Sequence, residues 1–374
     1  MRVLVLNGGS SSLKAAVFDV VASTEETDPA QPLWQKESPI DDAESASVLL
    51  RSLDPSLKVE AVGHRIVNGG KSFGSSERIT AQVKNTLTEL AQSAPQHNKL
   101  EMAAIEAAEK VLGRDIPQVA VFDSAFHSTL PPAAYTYPGP SAWIEEGIRR
   151  FGFHGISHRY VSRRAARMLR RPVEELKLIT CHLGNGCSLA AIDAGRSIDT
   201  TMGFTPLEGL MMGSRSGSID PGIIIFLMRK HGYTPDDIDR ILNRESGLKG
   251  LGGSSDMREI MASRDRGDSR ASLAFDVFVH RVRSGIGAML ASLGGVDALV
   301  FTGGIGEHAP QIRQAVCCQF VFSNLHLDPA LNQEKPDIDV ATPRSAVRIP
   351  VIHTEEDWEI ARETRRVCEL QAAG

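Results

Sequence analysis

Short apolar runs closed by glycine, asparagine or serine recur along this chain and alternate with stretches of helical spacing. Residues 3–6 (Val-Leu-Val-Leu) read as a buried strand that stops at Asn7. Gly8-Gly9-Ser10-Ser11-Ser12 follows, and residues 13–19 read as a second strand. Residues 58–67 form a strand candidate running into Asn68-Gly69-Gly70, and 98–112 have helical spacing. Gln118–Phe122 is the next buried strand. Lys177–Leu183 is another, joined through Gly184-Asn185-Gly186 to a strand over 187–192. Over 273–290, Phe275, Phe278, Val282, Ile286 and Met289 share one helical face, which suits a core or an interface equally. A last buried strand, 297–301, feeds Thr302-Gly303-Gly304-Ile305-Gly306-Glu307. This alternation predicts an α/β protein. The second strand–turn–strand echoes the first and predicts a duplicated architecture, although the two sequences differ. Residues 20–57 are acidic, polar and poorly periodic, and predict a peripheral insertion.

Composition narrows the class. A chain of 374 residues exceeds one ordinary core, so two domains are expected. Its 42% hydrophobic and 23% charged residues are those of a soluble globular protein. A net charge of −5 offers no basic excess to displace counterions, which argues against a nucleic-acid partner. The apolar runs are too short to span a bilayer and the amino terminus lacks a signal layout, so the expectation is a cytoplasmic protein without a membrane partner. Cys181, Cys187, Cys317, Cys318 and Cys368 are odd in number and scattered, the pattern of neither a disulfide framework nor a zinc cluster.

The first hairpin carries the earliest chemical signal. A turn of glycine and serine alone lets backbone N–H groups point at an anion, and Lys14 adds a point charge beside it. A strand follows, where a Walker loop would have a helix. An ordinary Gly/Ser turn is the competing reading.

The motifs VLVLNGGSSSLK, HRIVNGG, FDSAFH, FGFHGISH, HLGNG, MMGSRSG, TGGIGE and TEED occur in the order seen in acetate kinases. The resemblance spans residue 3 to about residue 364. It implies the α/β fold of sugar kinases and actin: two duplicated, ribonuclease H-like domains with an active-site cleft between them. The corresponding domains are 1–126 with 358–374, and 127–357. It also implies a homodimer, and reversible phosphoryl transfer between ATP and a short carboxylate with Mg2+, or Mn2+ in its place.

The residues agree with that chemistry. A carboxylate has a pKa near ~4 and needs no general base at neutral pH. What it needs is charge compensation and in-line positioning against a triphosphate. Arg65 and Arg215 can hold carboxylate and phosphoryl oxygens in their guanidinium forks, with solvated surface arginines as the alternative. By resemblance His154 stabilises the transferring phosphoryl group; capping the next helix is the competing role. Asp123 ends a buried strand, where open α/β sheets place ligand groups, and fits an electrostatic or metal-organising role or a capping one. Asn7 and the acidic cluster Glu355-Glu356-Asp357 complete a shell of hard oxygen donors for magnesium, in which the resemblance implies Glu356 as the ligand with Glu355 as fallback. Acids at a helix start also suit the helix dipole.

The remaining assignments come from the resemblance. His182, Leu183, Gly184, Asn185 and Gly186 would lie over the ATP phosphates, together with Lys14. Asp256, Met257 and Arg258, with Gly303, Gly304, Ile305, Gly306, Glu307 and His308, would hold the adenosine end. Val67, Gln96, His97, Phe153 and Pro206 would line the substrate pocket beside Arg65, although His97 could equally be structural. Gln96 stands where the family usually has a leucine. Its amide predicts weaker preference for acetate or tolerance of a hydroxylated or larger acid, since an unpaired buried amide costs about 1–3 kcal/mol. His308 replaces the usual asparagine and Ser218 an aspartate, which touches nucleotide affinity and loop geometry. A propionate or butyrate kinase is the nearest alternative. A non-catalytic ATP-binding protein is the more distant one, and it would have no use for Arg65, Arg215 and His154.

Overall fold

The computed structural model describes residues 1–9, 12–21, 29–40, 42–93 and 95–372, without the side chains of 91–93, 95–99, 371 and 372. The chain forms two compact units. The first comprises Met1–Ser128, Gly155–Tyr160 and Glu355–Gly374, and the second Thr129–His154 and Val161–Thr354.

The first unit is built on a six-stranded sheet of order β3-β2-β1-β4-β6-β5. Its strands are β1 (Arg2–Gly8), β2 (Ser12–Asp19), β3 (Trp34–Pro39), β4 (Ala61–Ile66), β5 (Glu77–Arg78) and β6 (Gln118–Phe122). β1 runs antiparallel to β2, with Asn7 opposite Lys14, and parallel to β4, which runs parallel to β6. Helices cover both faces of these central strands, which is why β1 and β6 read as unbroken apolar runs. Leu4, Leu6, Leu13 and Val17 cluster with Leu49 and Leu50 of the Ala43–Arg51 helix and with Ala104, Ala107 and Ala108 of the Pro95–Leu112 helix. The Glu356–Ala372 helix packs against β1, β4 and β6, with Trp358 1% exposed and its ring 5.7 Å from that of Phe18.

Residues 20–57 are therefore not a peripheral insertion. β3 extends the sheet beside β2, and the Ala43–Arg51 helix, opened by a capping box of Asp42 and Ser45, buries Ala46, Leu49 and Leu50 in the core. Residues 22–28 of that stretch lie outside the described residues. The strand expected over 58–67 is shorter at its start, and the helix expected from 98 begins at Pro95, a residue suited to a first helical turn.

The second unit repeats the plan with the order β11-β12-β10-β7-β8-β9. Its strands are β7 (Lys177–Leu183), β8 (Cys187–Asp193), β9 (Arg196–Thr200), β10 (Ala298–Thr302), β11 (Ile338–Asp339) and β12 (Pro350–Val351). β7 and β8 form the antiparallel hairpin, while β7 with β10 and β10 with β12 are parallel. Strand for strand, β9-β8-β7-β10-β12 matches β3-β2-β1-β4-β6 in order and direction. This is the duplicated α/β architecture that the two hairpins predicted. The strand ending at Phe301 is not the last one: β12, only two residues long and too short to leave a periodic signal, pairs with it. The Ser269–Leu293 helix buries Phe275, Phe278, Val282, Ile286 and Met289, so that face belongs to the core. No helix among the described residues is long and apolar enough to cross a membrane.

Candidate active site

In the first unit, Asn7, Arg65 and Asp123 stand at the carboxyl ends of β1, β4 and β6, where parallel sheets gather their ligand groups. Arg65 donates to Asp123 Oδ2 from Nη2 and Nε at 2.7 and 3.2 Å. Its Nη1 reaches Asn7 Oδ1 and the Gly8 carbonyl, both at 3.3 Å. Burial works against the guanidinium charge, but Asp123 and Glu356 outweigh it and keep Arg65 protonated. Asp123 is 1% exposed, and its Oδ1 has no hydrogen-bond partner among the described residues.

The start of the Glu356–Ala372 helix adds two more acids. Asp357 accepts from Asn7 Nδ2 at 2.7 Å and pairs with Lys14 Nζ at 2.7 Å. Lys14 is thus engaged by a carboxylate of its own unit; burial opposes its charge, and Asp357, with Glu355 and Glu37, more than restores it. The Glu356 carboxyl is pushed up to about 7 by burial, against the pull of Arg65 and with the push of Asp123 and Asp357. Several acids, one of them resisting ionisation and another with an orphaned oxygen, mark a place where negative charge lacks compensation. Hard oxygen donors of this kind fit Mg2+. Among the described residues no group of three or more His, Cys, Asp or Glu is arranged as a ready cage.

β6 is tied to the segment that follows His154. The Gly155 N–H donates to the Asp123 carbonyl at 2.9 Å, and a Cβ at residue 155 would lie 2.1 Å from that oxygen. Only glycine can begin the Gly155–Leu169 helix there.

In the second unit, His154 occupies the N-cap position of that helix with a positive φ of 56°, but its ring makes no capping bond. The ring instead shares a 2.9 Å hydrogen bond between Nδ1 and Ser188 Oγ and stacks on His182 at 4.2 Å. Gly186 explains why the turn between β7 and β8 is glycine-rich. A Cβ there would lie 3.1 Å from His154 Cε1 and Nε2, and 3.4 Å from Arg215 Nη2. His154, Arg215 and the hairpin turn therefore meet at one point. Arg215 is fixed from behind by its Nη1 bond to the Pro206 carbonyl at 2.7 Å.

Next to this point lies a cavity of about 460 Å³. Gly184, Asn185, Asp256, Met257, Arg258, Gly304, Ile305 and His308 line it, as expected for a nucleotide pocket, together with Ser255, Met261 and Ala309. Asp256 and Arg258 pair at 2.6 Å on its exposed side. His182, Leu183, Gly186, Gly303 and Gly306 are not in the lining, and Leu183 is wholly buried. Glu307 also stays out of it. Its carboxylate accepts the N–H groups of Gly303 and Thr354 at 2.9 and 3.2 Å and pairs with His353 Nδ1 at 2.6 Å. These bonds latch the backbone at Gly303 to that at Thr354.

Of the expected substrate walls, Val67 and Pro206 are half-buried, while Phe153 is 1% exposed and belongs to the core of the second unit. Residues 96 and 97 fall in the first turn of the Pro95–Leu112 helix; their side chains, like Ser10 and Ser11 of the first hairpin, lie outside the described residues.

A sequence profile of the Acetokinase family matches residues 42–362. The chain belongs to the acetokinase family. It is 51% identical over 401 residues to the acetate kinase of Gloeobacter violaceus (strain ATCC 29082 / PCC 7421), covering 97% of this chain and 98% of that protein. It is 52% identical over 398 residues, with the same coverage, to that of Nostoc punctiforme (strain ATCC 29133 / PCC 73102). Among solved structures, Porphyromonas gingivalis acetate kinase superposes with a TM-score of 0.89 at 36% identity, covering 98% of this chain and 99% of that one. A propionate kinase from Francisella tularensis subsp. tularensis SCHU S4 does so equally well, at 0.89, 35% identity and the same coverage. Fold similarity to the family thus leaves the choice of carboxylate to the pocket.

Reading the sequence passed over Ser188, Met261 and Glu101. Met261 had a signal, four residues after Met257 on one helix face. Ser188 and Glu101, which accepts the Val67 N–H at 2.7 Å, had none beyond their elements.

Proposed function

We propose that this protein transfers the γ-phosphoryl group of ATP to a short-chain carboxylate, acetate first, giving acetyl phosphate and ADP by reversible in-line displacement. The observation that carries the reading is an arginine at the candidate site of each unit: Arg65 among the acids of the first, Arg215 beside His154 and the cavity of the second. A protein that only sensed ATP would need neither.

The substrate enters as an anion, so the residues have charge to balance and no proton to remove. Arg65 holds the carboxylate, and its pairing with Asp123 sets the direction of its fork. Arg215 and His154 neutralise charge on the phosphoryl oxygens as it passes. Ser188 fixes the orientation of the His154 ring. Met257, Met261 and Ile305 give the cavity an apolar slot for the base. Asn7 and Glu356 would hold Mg2+, with Asp123 arranging the water around it; the ion would supply charge neutralisation between acceptor and phosphates. Mn2+ could take the same oxygen donors. We place the protein in the cytoplasm.

We also infer a homodimer. The Pro221–His231 helix buries none of its residues, and Ile223, Ile225, Phe226 and Met228 are 45, 50, 52 and 39% exposed. So apolar an exposed helix is the kind of surface a second copy covers. Sedimentation should give twice the chain mass, and Phe226→Glu should give the monomer.

The activity is tested by following ADP release with ATP, Mg2+ and acetate, glycolate, propionate or butyrate. Acetate is expected to be turned over, and Gln96→Leu to lower activity on the larger and hydroxylated acids relative to it. ATP binding with no turnover of any acid would restore the sensor reading.

A further inference from the structure

Glu101, in the Pro95–Leu112 helix, is 6% exposed and has none of the roles assigned above. Its Oε1 accepts the backbone N–H of Val67 at 2.7 Å. Its Oε2 is buried with no hydrogen-bond partner among the described residues. Ionised, this group would leave one oxygen without solvent or donor, which is costly. Burial accordingly pushes it up to about 8, against the Val67 N–H and Arg65 and with the push of Asp123. Among the described residues, Arg65 from β4 and Asp123 from the end of β6 are the charged groups that act on it. The neighbouring helices meet the Pro95–Leu112 helix farther along, through Glu44 with Lys110 and Lys84 with Glu109.

Val67 is two residues beyond Arg65 and opens the Asn68-Gly69-Gly70 turn, whose Gly69 N–H is held by Ser124 Oγ at 3.1 Å. A bond to the Val67 N–H thus fixes the stretch of backbone nearest the arginine. Charge matters as much. Asp123 already balances Arg65 and Glu356 also acts on it, so an ionised Glu101 would add a further negative charge at this end of the sheet before any anionic substrate arrived.

We propose that Glu101 is a positioning residue for the carboxylate acceptor: it holds Val67 through its N–H, and only its uncharged form leaves Arg65 able to receive another anion. The inference rests on the carboxylate-kinase reading.

Steady-state kinetics with ATP and acetate from about pH 7.5 to about 9.5, above the value of about 7 at which Glu356 ionises, would compare the unaltered protein with Glu101→Gln and Glu101→Ala. In the unaltered protein the acetate KM should rise about tenfold toward the alkaline end. Glu101→Gln keeps the acceptor for Val67 and removes the charge, so its KM should stay at the low-pH value throughout. Glu101→Ala should give a flat profile set about fivefold higher, because the Val67 N–H loses its partner. The ATP KM should move by less than about twofold in each variant. A Glu101→Gln profile that still rises would overturn the proposal, and so would an ATP KM that shifts as far as the acetate KM. If the glutamine variant does not fold, flatness of the alanine profile decides. A protein that phosphorylates no carboxylate would overturn the kinase reading and this inference together; an active one with a flat acetate KM would overturn this inference alone.

Discussion

The two units carry the same five-strand arrangement, and the second rung from the hairpin turn serves opposite purposes in them. In the first unit that rung pairs Asn7 with Lys14, and both side chains grip Asp357, an acid on the carboxyl-terminal helix. In the second it pairs His182 with Ser188, and both hold His154, one by stacking and one by a hydrogen bond. One scaffold thus gathers oxygen ligands and the other an imidazole beside an arginine. Duplicated folds share their backbone hydrogen bonds; what distinguishes the copies is the pair of side chains on one rung and the helix it addresses.

If the second unit handles the reacting phosphoryl group, Arg215→Ala should have the largest effect. We expect kcat to fall about 10³-fold, as for other arginines that neutralise a transferring phosphoryl group, with the ATP KM changed less than about threefold. A loss under about tenfold in a steady-state assay would remove Arg215 from the reacting centre.

The first unit depends on how its acidic helix is seated. Glu363 accepts from Ser76 Oγ at 3.1 Å and pairs with Arg159 and Arg366 at 2.9 and 3.0 Å. Burial would raise this carboxyl, yet the two arginines and Ser76 bring it down to about 2 from an unfolded value of 4.5. The folded value is the lower one, so its stabilisation is full above about pH 4.5 and fades as pH falls toward 2. Glu363→Gln should cost about 2–3 kcal/mol in urea unfolding at neutral pH. The gap should close on acidification, and one that stayed constant down to about pH 3 would show that the ion pairs do not seat the helix.

Much of this could be read from sequence because the central strands are covered on both faces. Gln118–Phe122 and Lys177–Leu183 came out residue for residue, since burial on both sides leaves mainly apolar runs. Gly155 is required for another reason, since a Cβ there would meet the Asp123 carbonyl, while one at Gly186 would press on the His154 ring. What stayed hidden lacked a pattern. β12 is two residues long, and the Ala43–Arg51 helix anchors itself with Ala46, Leu49 and Leu50 in a mostly polar stretch. The Ile223-Ile224-Ile225-Phe226-Leu227-Met228 run is conspicuous, but nothing in the sequence says that it stays uncovered. Glu101 looks like any acid on an amphipathic helix until its oxygens are seen facing inward. For the site, sequence identified the chemical groups; it could not say that Glu307 latches backbone while Gly304 faces the cavity.

The two rungs can be tested against each other with smaller substitutions. Ser188→Ala removes the hydrogen bond that orients His154 but leaves the His182 stack, and a neutral bond of this kind contributes about 0.5–1.5 kcal/mol. We expect kcat to fall about fivefold to tenfold with the acetate KM unchanged, because the ring would act on the transferring group and not on the bound acid. Lys14→Met removes one partner of Asp357 and leaves Asn7, and the Lys14 side chain is 47% exposed. A half-exposed ion pair contributes under about 1 kcal/mol, so the ATP KM should rise less than about fivefold. A rise well beyond that would mean that Lys14 leaves Asp357 to grip the nucleotide. The first hairpin would then act on phosphate as the second does, and the division of labour between the rungs would fail. A small change in the lysine variant beside a larger kcat loss in the serine variant is what a ligand-holding rung and an imidazole-holding rung require.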